Sequence, residues 1–387
     1  MGFSSIDTFQ PSSASCENKT VDASVVRAAV GLDIGTTNVQ AQLVNLETGE
    51  SIDTFSAPNA QRVFGADVIS RINAARNGKT KELFTVINSQ VEVILRQFIE
   101  KWNLAKIEKC VVSGNMTMLH LFSGADPSAM GEAPYTPVFL EERHFTGKDF
   151  SLSADHINLL PGISAFVGAD IVSGLAYVDI MNTGRDAFFV DIGTNGEMAV
   201  WNKSKKRLLC CATAAGPCFE EAEISCGLKA AELIDTIAKM KRTGVIDETG
   251  ALADEFAQEG YPVVEGIVIT QQDVRQFQLA KAAIFSGIKV LCRTEFSGIE
   301  NVGAAYIAGG LGFFLNLQSA AEVGLLPKEF TSANTTVCGN TSLMGAVKSL
   351  LDTSFLPRCY EIIAHSTVID LAVDKEFSEE FVENMMM

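Results

Sequence analysis

Two short stretches of this sequence carry residue types that could do chemistry, and they are nearly the same text. Residues 30–44 read V-G-L-D-I-G-T-T-N-V-Q-A-Q-L-V, and residues 189–200 read F-V-D-I-G-T-N-G-E-M-A-V. In each, an apolar run ends in an aspartate, a glycine and small polar residues follow, and a second strand-like run begins. A glycine-rich turn between two strands aims several backbone N–H groups in one direction, and such a nest binds an anion. Gly35, Thr36, Thr37 and Asn38 form the first nest; Gly193, Thr194, Asn195 and Gly196 form the second. The aspartate before each nest would repel a phosphate unless a cation stood between them. Mg2+ is commonly held through one or two carboxylates together with phosphate oxygens and water. Asp33 and Asp191 therefore read as Mg2+ positions, acting through water or phosphate. Two such hairpins facing each other would clamp a polyphosphate, and catalysis would be positioning and charge neutralisation. The plainer alternative is that each aspartate accepts N–H bonds from its own turn, and two copies one domain length apart weigh against it.

Other residues join these two by type and position. A strand at 302–308 runs into Gly309, Gly310 and Gly312, bare backbone against which a base and ribose can lie. Glu197 and Glu220 are candidate catalytic carboxylates that orient water, with a structural role as the equal alternative. Asp170, in V-G-A-D, stands either near the metal or at a helix start. Asn115 and Thr117, in G-N-M-T, either line the cleft or form an ordinary strand-to-helix turn. His120 reads as a packed core histidine. The remaining histidines have no metal-ligand spacing.

The elements that must hold these groups follow from periodicity. Strands are expected at 25–33, 39–46 and 51–57, helices at 66–76 and 80–102, and a short strand at 109–113. Residues 126–160 read as loop-rich, and a helix begins near 168. The pattern then restarts, with strands at 187–191, 197–202 and 207–213. Thr270 and Asp273 form a capping-box start, T-x-x-D, to a helix reaching about residue 295. Helices are expected at 316–323 and 341–352, and an acidic tail from residue 373 ends in three methionines, which suggest an adaptable contact surface or, more simply, a frayed terminus.

Composition bounds the whole. The chain has 387 residues, 47% hydrophobic and 20% charged, enough for a large core and two domains. Its net charge of −17 argues against a nucleic-acid partner. It does not argue against nucleotides, whose phosphates are held mostly by amides and a metal. Nine cysteines, none in C-x-x-C, suggest buried thiols in a reducing compartment. Residues 1–24 read as a flexible Ser-rich tail without a secretory core, and no run approaches the length of a membrane span. A cytoplasmic location without membrane contact is expected.

The two hairpins and the A-G-G turn resemble the phosphate-1, phosphate-2 and adenosine motifs of the actin, sugar kinase and Hsp70 superfamily. The resemblance implies an α/β, two-lobed actin-like ATPase (ASKHA) fold, with duplicated ribonuclease H-like domains and a nucleotide cleft between them. The lobes would be 25–183 and 184–387. Further stretches narrow the match: F-G-A-D-V-I-S-R-I (64–72), S-G-N-M-T-M-L-H-L (113–121), L-P-G-I-S-A-F-V-G-A-D-I-V-S-G (160–174), A-A-G-P-C-F-E-E-A (214–222) and T-Q-Q-D-V-R-Q-F-Q-L-A-K-A-A-I (270–284). In this order, over roughly residues 30–385, they resemble the C-terminal part of the reductive activators of corrinoid proteins.

That resemblance implies ATP and Mg2+ as cofactors. It implies ATP hydrolysis coupled to Co(II)-to-Co(I) reactivation of a corrinoid protein in a methyltransferase system, and a homodimer is compatible with it. Two departures stand out. The Fe–S spacings C-x4-C-x2-C and C-x2-C-x2-C of the family do not occur, so no Fe–S cluster is expected in this chain and a separate low-potential electron donor is. After Cys226 the family usually carries tens of residues more than the I-S-C-G-L-K-A-A found here, which implies a shortened loop. An ATP-gated chaperone of a corrinoid protein without redox chemistry is the alternative, and a small-molecule kinase ranks third.

Overall fold

The apolar runs that end in Asp33 and Asp191 are interior strands of two six-stranded sheets. The structure, a computed structural model, describes residues 27–219, 228–264, 266–310 and 315–387; the tail expected at 1–24 lies outside them. The first sheet contains β1 (Ala28–Ile34), β2 (Asn38–Asn45), β3 (Ser51–Pro58), β4 (Ile107–Gly114), β5 (Arg143–Thr146) and β6 (Ala154–Leu159), in the order β3-β2-β1-β4-β6-β5. The second contains β7 (Ala187–Ile192), β8 (Asn195–Asn202) and β9 (Arg207–Ala214). After a separate hairpin of β10 (Tyr261–Val264) and β11 (Ile267–Ile269), it adds β12 (Ala304–Gly309), β13 (Thr335–Gly339) and β14 (Ser366–Val368). Its order is β13-β12-β7-β8-β9-β14.

The two sheets repeat one wiring. β1–β2–β3 is an antiparallel meander, β4 lies parallel to β1, and β6 parallel to β4. β7–β8–β9 is the same meander, with β12 parallel to β7 and β13 parallel to β12. The repeated text is thus a repeated fold, as the two-lobed expectation required.

Helices fill three layers. α1 (Val68–Ala74), α2 (Thr80–Trp102) and α3 (Met116–Ser123) cover the outer face of the first sheet, followed by one turn, α4 (Gly147–Phe150). α5 (Ala169–Tyr177) crosses toward the second half. α6 (Ala230–Arg242), α7 (Gln271–Phe296) and α8 (Leu317–Glu322) cover the outer face of the second sheet. α9 (Thr341–Leu351) and α10 (Phe355–His365) return to pack with α5 between the sheets, and α11 (Lys375–Glu383) packs on α7. In sequence the first sheet ends with β6 and the second begins with β7, while α9 and α10 rejoin the first sheet in space. Gly174 permits this middle layer. A Cβ there would fall 2.7 Å from Thr341 Oγ1 and 3.0 Å from the Phe189 ring.

Strand alternation decides which side chains reach that layer. On β1, Val30, Leu32 and Ile34 join the outer core, and Ala29, Gly31 and Asp33 face α9. On β7, Phe188, Val190 and Ile192 join the α6–α7 core, while Ala187, Phe189 and Asp191 share the opposite face. Both aspartates thus look inward, toward the middle layer.

Local signals hold at most element ends. Thr270 and Asp273 form the expected reciprocal capping box at the start of α7, a device that contributes about 1 kcal/mol. Two regions differ from expectation. Residues 126–160, read as loop-rich, contain β5, α4 and β6; only Ile157 and Leu159 of β6 are buried, too weak an alternation to announce a strand. The methionine tail is docked: the Met387 amide donates to the Glu248 carbonyl at 2.8 Å, and Gln278 Nε2 donates to the Met385 carbonyl at 2.6 Å. Among the described residues, no helix is long and apolar enough to cross a membrane.

Candidate functional site

Where β1 and β7 end, their D-I-G turns face each other across a cleft of about 510 Å³. Asp33, Gly35, Thr36, Thr37 and Asn38 line it from the first half, and Asp191, Gly193, Thr194, Asn195 and Glu197 from the second. Gly309 and Gly310, at the end of β12, close one side. Thr37 Oγ1 and Thr194 Oγ1 lie 3.0 Å apart, a hydrogen bond from one hairpin to the other. The turns differ by one residue. Ile34 pairs with Val39, leaving four residues between them, whereas Ile192 pairs with Gly196 and leaves three.

Gly309 has φ +108°, a region that L side chains avoid. A Cβ there would lie 2.3 Å from the Ile192 carbonyl and 2.7 Å from Asp191 Oδ1. Bare backbone is therefore required beside the second aspartate. Gly114 repeats the arrangement at the end of β4, with φ +150° and a would-be Cβ 2.6 Å from the Ile34 carbonyl.

Two asparagines brace the first turn. Asn115 caps α3 with its Oδ1 and donates from Nδ2 to Thr36 Oγ1 at 3.0 Å. Asn340 caps α9 in the same way and donates from Nδ2 to Asp33 Oδ2 at 2.7 Å. Ser342 donates to Asp33 Oδ1 at 2.8 Å, and its hydroxyl lies 2.9 Å from Ser113, which is 3.0 Å from Ser173. Asp33 is thus oriented from α9, 307 residues further along the chain.

The electrostatics of the cleft are one-sided. Asp33, Asp170, Asp191 and Glu197 all line it, and no Lys, Arg or His does among the described residues. Burial raises the pKa of Asp33, against hydrogen bonds from Asn340 and Ser342 that lower it. Burial and then the charge of Asp33 push the Asp170 carboxyl up to about 7. Burial, then Asp170, then Asp191 push Glu197 well above the usual carboxylate range. With no basic side chain among the described residues that line it, the cleft suits a divalent cation as counter-charge. Among the described residues no group of three or more His, Cys, Asp or Glu side chains could hold a metal directly. The donor set suits Mg2+ bound through one or two carboxylates, water and phosphate, rather than an all-protein cage.

Most of the sequence-predicted site residues meet here. Gly196 does not: strand alternation turns it to the α7 side, where a Cβ would be 3.0 Å from Ile284. Glu220 and Gly312 lie outside the described residues. Thr117 is buried on α3 and does not line the cleft. His120 is the packed core residue expected, its Nδ1 at 2.6 Å from the Met116 carbonyl, its Nε2 at 2.9 Å from the Val138 amide, and its ring stacked on Phe139.

Sequence reasoning missed Asn340 and Ser342, and left Asp170 undecided. One signal was present: V-S-G-N at 112–115 recurs as V-C-G-N at 337–340. Gln40 was also missed; it pairs with Asp33 in register, as Glu197 pairs with Asp191.

Residues 28–183 match the family described as the RACo middle region, RACo being the reductive activator of corrinoid proteins. Residues 186–233 and 231–387 match the C-terminal domain of RACo, the ASKHA domain. The break in that match falls just after the departure noted at Cys226. The chain is 30% identical to the corrinoid activation enzyme RamQ of Eubacterium limosum, over 92% of this chain and 70% of that protein. It is 25% identical to the [Co(II) methylated amine-specific corrinoid protein] reductase of Methanosarcina barkeri, over 86% of this chain and 72% of that protein. The solved structure of a reductive activator for corrinoid, iron-sulfur protein superposes with a TM-score of 0.87 at 31% identity. That superposition covers 94% of this chain and 66% of the other. With duplicated sheets, paired D-I-G turns and these matches over both halves, the chain belongs to the family of reductive activators of corrinoid proteins, built on the ASKHA fold.

Proposed function

We propose that this chain binds Mg-ATP in the cleft and couples its hydrolysis to reduction of a corrinoid protein's cobalt from Co(II) to Co(I). The corrinoid protein belongs to a methyltransferase system, and the electron comes from a separate low-potential donor. The observation that carries the reading is the meeting of the two D-I-G turns across one acidic cleft, with Thr37 and Thr194 in contact at 3.0 Å. The names of the two relatives, an activation enzyme and a Co(II) corrinoid protein reductase, support the substrate class.

Each group in the cleft has a task in this reading. The amides and hydroxyls of Thr36, Thr37, Thr194 and Asn195 donate to phosphate oxygens. Asp33 and Asp191 would hold Mg2+ through water or phosphate, and the metal would supply charge neutralisation along the phosphates. Gly309 and Gly310 leave room for the nucleoside. Asp170, which lines the cleft and feels the charge of Asp33, takes a proton from water there. Glu197 orients that water. α5, α9 and α10, packed between the sheets, link the two halves that carry the turns.

The test is reconstitution with a cognate corrinoid protein, a low-potential reductant, Mg2+ and ATP, following Co(I) optically. Co(I) should accumulate only with ATP present. No acceleration over the ATP-free control, with phosphate released all the same, would overturn the redox coupling. Nucleotide-dependent association without reduction would point instead to the ATP-gated chaperone.

A further inference from the structure

The stretch F-G-A-D-V-I-S-R-I at 64–72 takes no part in the cleft as described so far, yet it holds one of the most expensive side chains in the molecule. Arg71, on α1, is fully buried. Its Nη2 donates to the Thr36 carbonyl at 2.5 Å, its Nε to the Gly65 carbonyl at 3.0 Å, and its Nη1 reaches Met118 Sδ at 3.1 Å. No carboxylate bonds to the guanidinium among these contacts; Asp67, the cap of α1, and Arg62 act on it through their fields in opposite directions. Burial draws its pKa down to about 10. A guanidinium is seldom fully buried without a paired carboxylate, so the position calls for a compensating role.

That role is visible in the backbone it holds. Asn59, also fully buried, donates from Nδ2 to the Gly35 carbonyl at 2.8 Å. The carbonyls of Gly35 and Thr36 are therefore both pinned from behind the turn. In a trans peptide unit the C=O and the following N–H point in opposite directions. The amides of Thr36 and Thr37 are thereby turned toward the cleft, and neither donates to another backbone carbonyl. The second turn is built differently: the Thr194 carbonyl accepts from the neutral Gly216 amide at 2.8 Å. At the first turn the corresponding donor, Arg71, carries a formal charge.

We infer that Arg71 is a positioning residue for the nucleotide phosphates: it fixes the Thr36 carbonyl away from the cleft, presents the amides of the first nest, and sets a buried positive charge behind a site lined by carboxylates. The inference rests on the Mg-ATP reading and adds to it a buried cation bonded to the first phosphate turn.

The test is calorimetric titration of the full chain with adenosine, ADP and a non-hydrolysable ATP analogue, in the Arg71→Gln, Arg71→Lys and Asn59→Ala variants. Arg71→Gln should lose about tenfold to a hundredfold in affinity for the ATP analogue, as expected for one charge-assisted hydrogen bond. Adenosine affinity should change by less than about threefold. Arg71→Lys should recover part of the loss, and Asn59→Ala should show a smaller loss of the same pattern. Equal losses for adenosine and the ATP analogue, or an unchanged Arg71→Gln, would overturn the inference. If Arg71→Gln does not fold, by circular dichroism, the same comparison in Arg71→Lys decides. A wild-type chain that binds no nucleotide would overturn the ATP reading and this inference with it, an outcome distinct from loss of the Arg71 effect alone.

Discussion

Replacing Asp170 by Asn should make the unliganded protein more stable at pH 8, against the usual direction of a mutation in a buried site. The carboxyl is raised to about 7 from an ordinary 3.8, first by burial and then by Asp33. The folded state therefore binds this proton more tightly than the unfolded chain. The sign is fixed by that ordering. The carboxyl costs nothing below about pH 4, stability falls as pH rises from 4 to 7, and the cost is constant above. About three pKa units correspond to about 4 kcal/mol at most. Because Asp170 interacts with Asp33 and Glu197, about 2–4 kcal/mol is the expected gain for the Asn variant. Asn keeps the acceptor that meets the Ile171 amide at 2.9 Å, so the helix start is not sacrificed. At about 2.1 cal/mol/K per residue, 387 residues give an unfolding entropy of about 0.8 kcal/mol/K. The melting temperature should then rise by about 3–5 °C at pH 8 in EDTA, with little change at pH 4. The assay is a thermal melt of wild type and Asp170→Asn at both pH values. A variant no more stabilised at pH 8 than at pH 4 would refute the electrostatic account of the cleft.

Three further outcomes follow from the same geometry. Asp33→Asn and Asp191→Asn should cut Mg2+-dependent ATP hydrolysis by about a hundredfold or more, while metal-free ATP binding holds or tightens, since a repelling charge is gone; weaker metal-free binding would contradict the clamp. Thr37→Val and Thr194→Val should each weaken ATP binding, and a double-mutant cycle should return a coupling of about 0.5–1.5 kcal/mol; strict additivity would mean the 3.0 Å contact contributes nothing. Glu295→Gln should cost about 1–3 kcal/mol in denaturant melts, because this fully buried carboxylate holds Lys205 at 3.0 Å and also pairs with Arg207. An unchanged midpoint would dismiss that triad as surface decoration.

Local rules made much of the molecule legible in its sequence. A D-I-G turn after an apolar strand needs only its own glycine and small residues to form a nest, and period-two alternation sends Asp33 and Asp191 to one face and Val30, Leu32 and Ile34 to the other. The repeat of that text one domain apart announced two related halves, and T-x-x-D announced the start of α7. The same alternation, carried one residue further, should have removed Gly196 from the cleft, since it stands in the strand beside Glu197 and faces α7.

What tertiary structure alone decided is the chemistry of the cleft around those turns. The grip of Asn340 and Ser342 on Asp33 spans more than three hundred residues. It exists because α9 leaves the second sheet and packs against β1. Asp170 becomes a near-neutral acid only because α5 crosses between the lobes and brings it to Asp33 and Glu197 in a buried space. Arg71 lies in sequence within the helix expected at 66–76; folding turns it inward onto the Thr36 carbonyl. Nests, caps and strand faces are set by residues a few positions apart, and sequence spacing encodes them. Carboxylate pKa values, cross-lobe hydrogen bonds and buried counter-charges depend on which distant elements exclude water together, and that is settled only when the layers close.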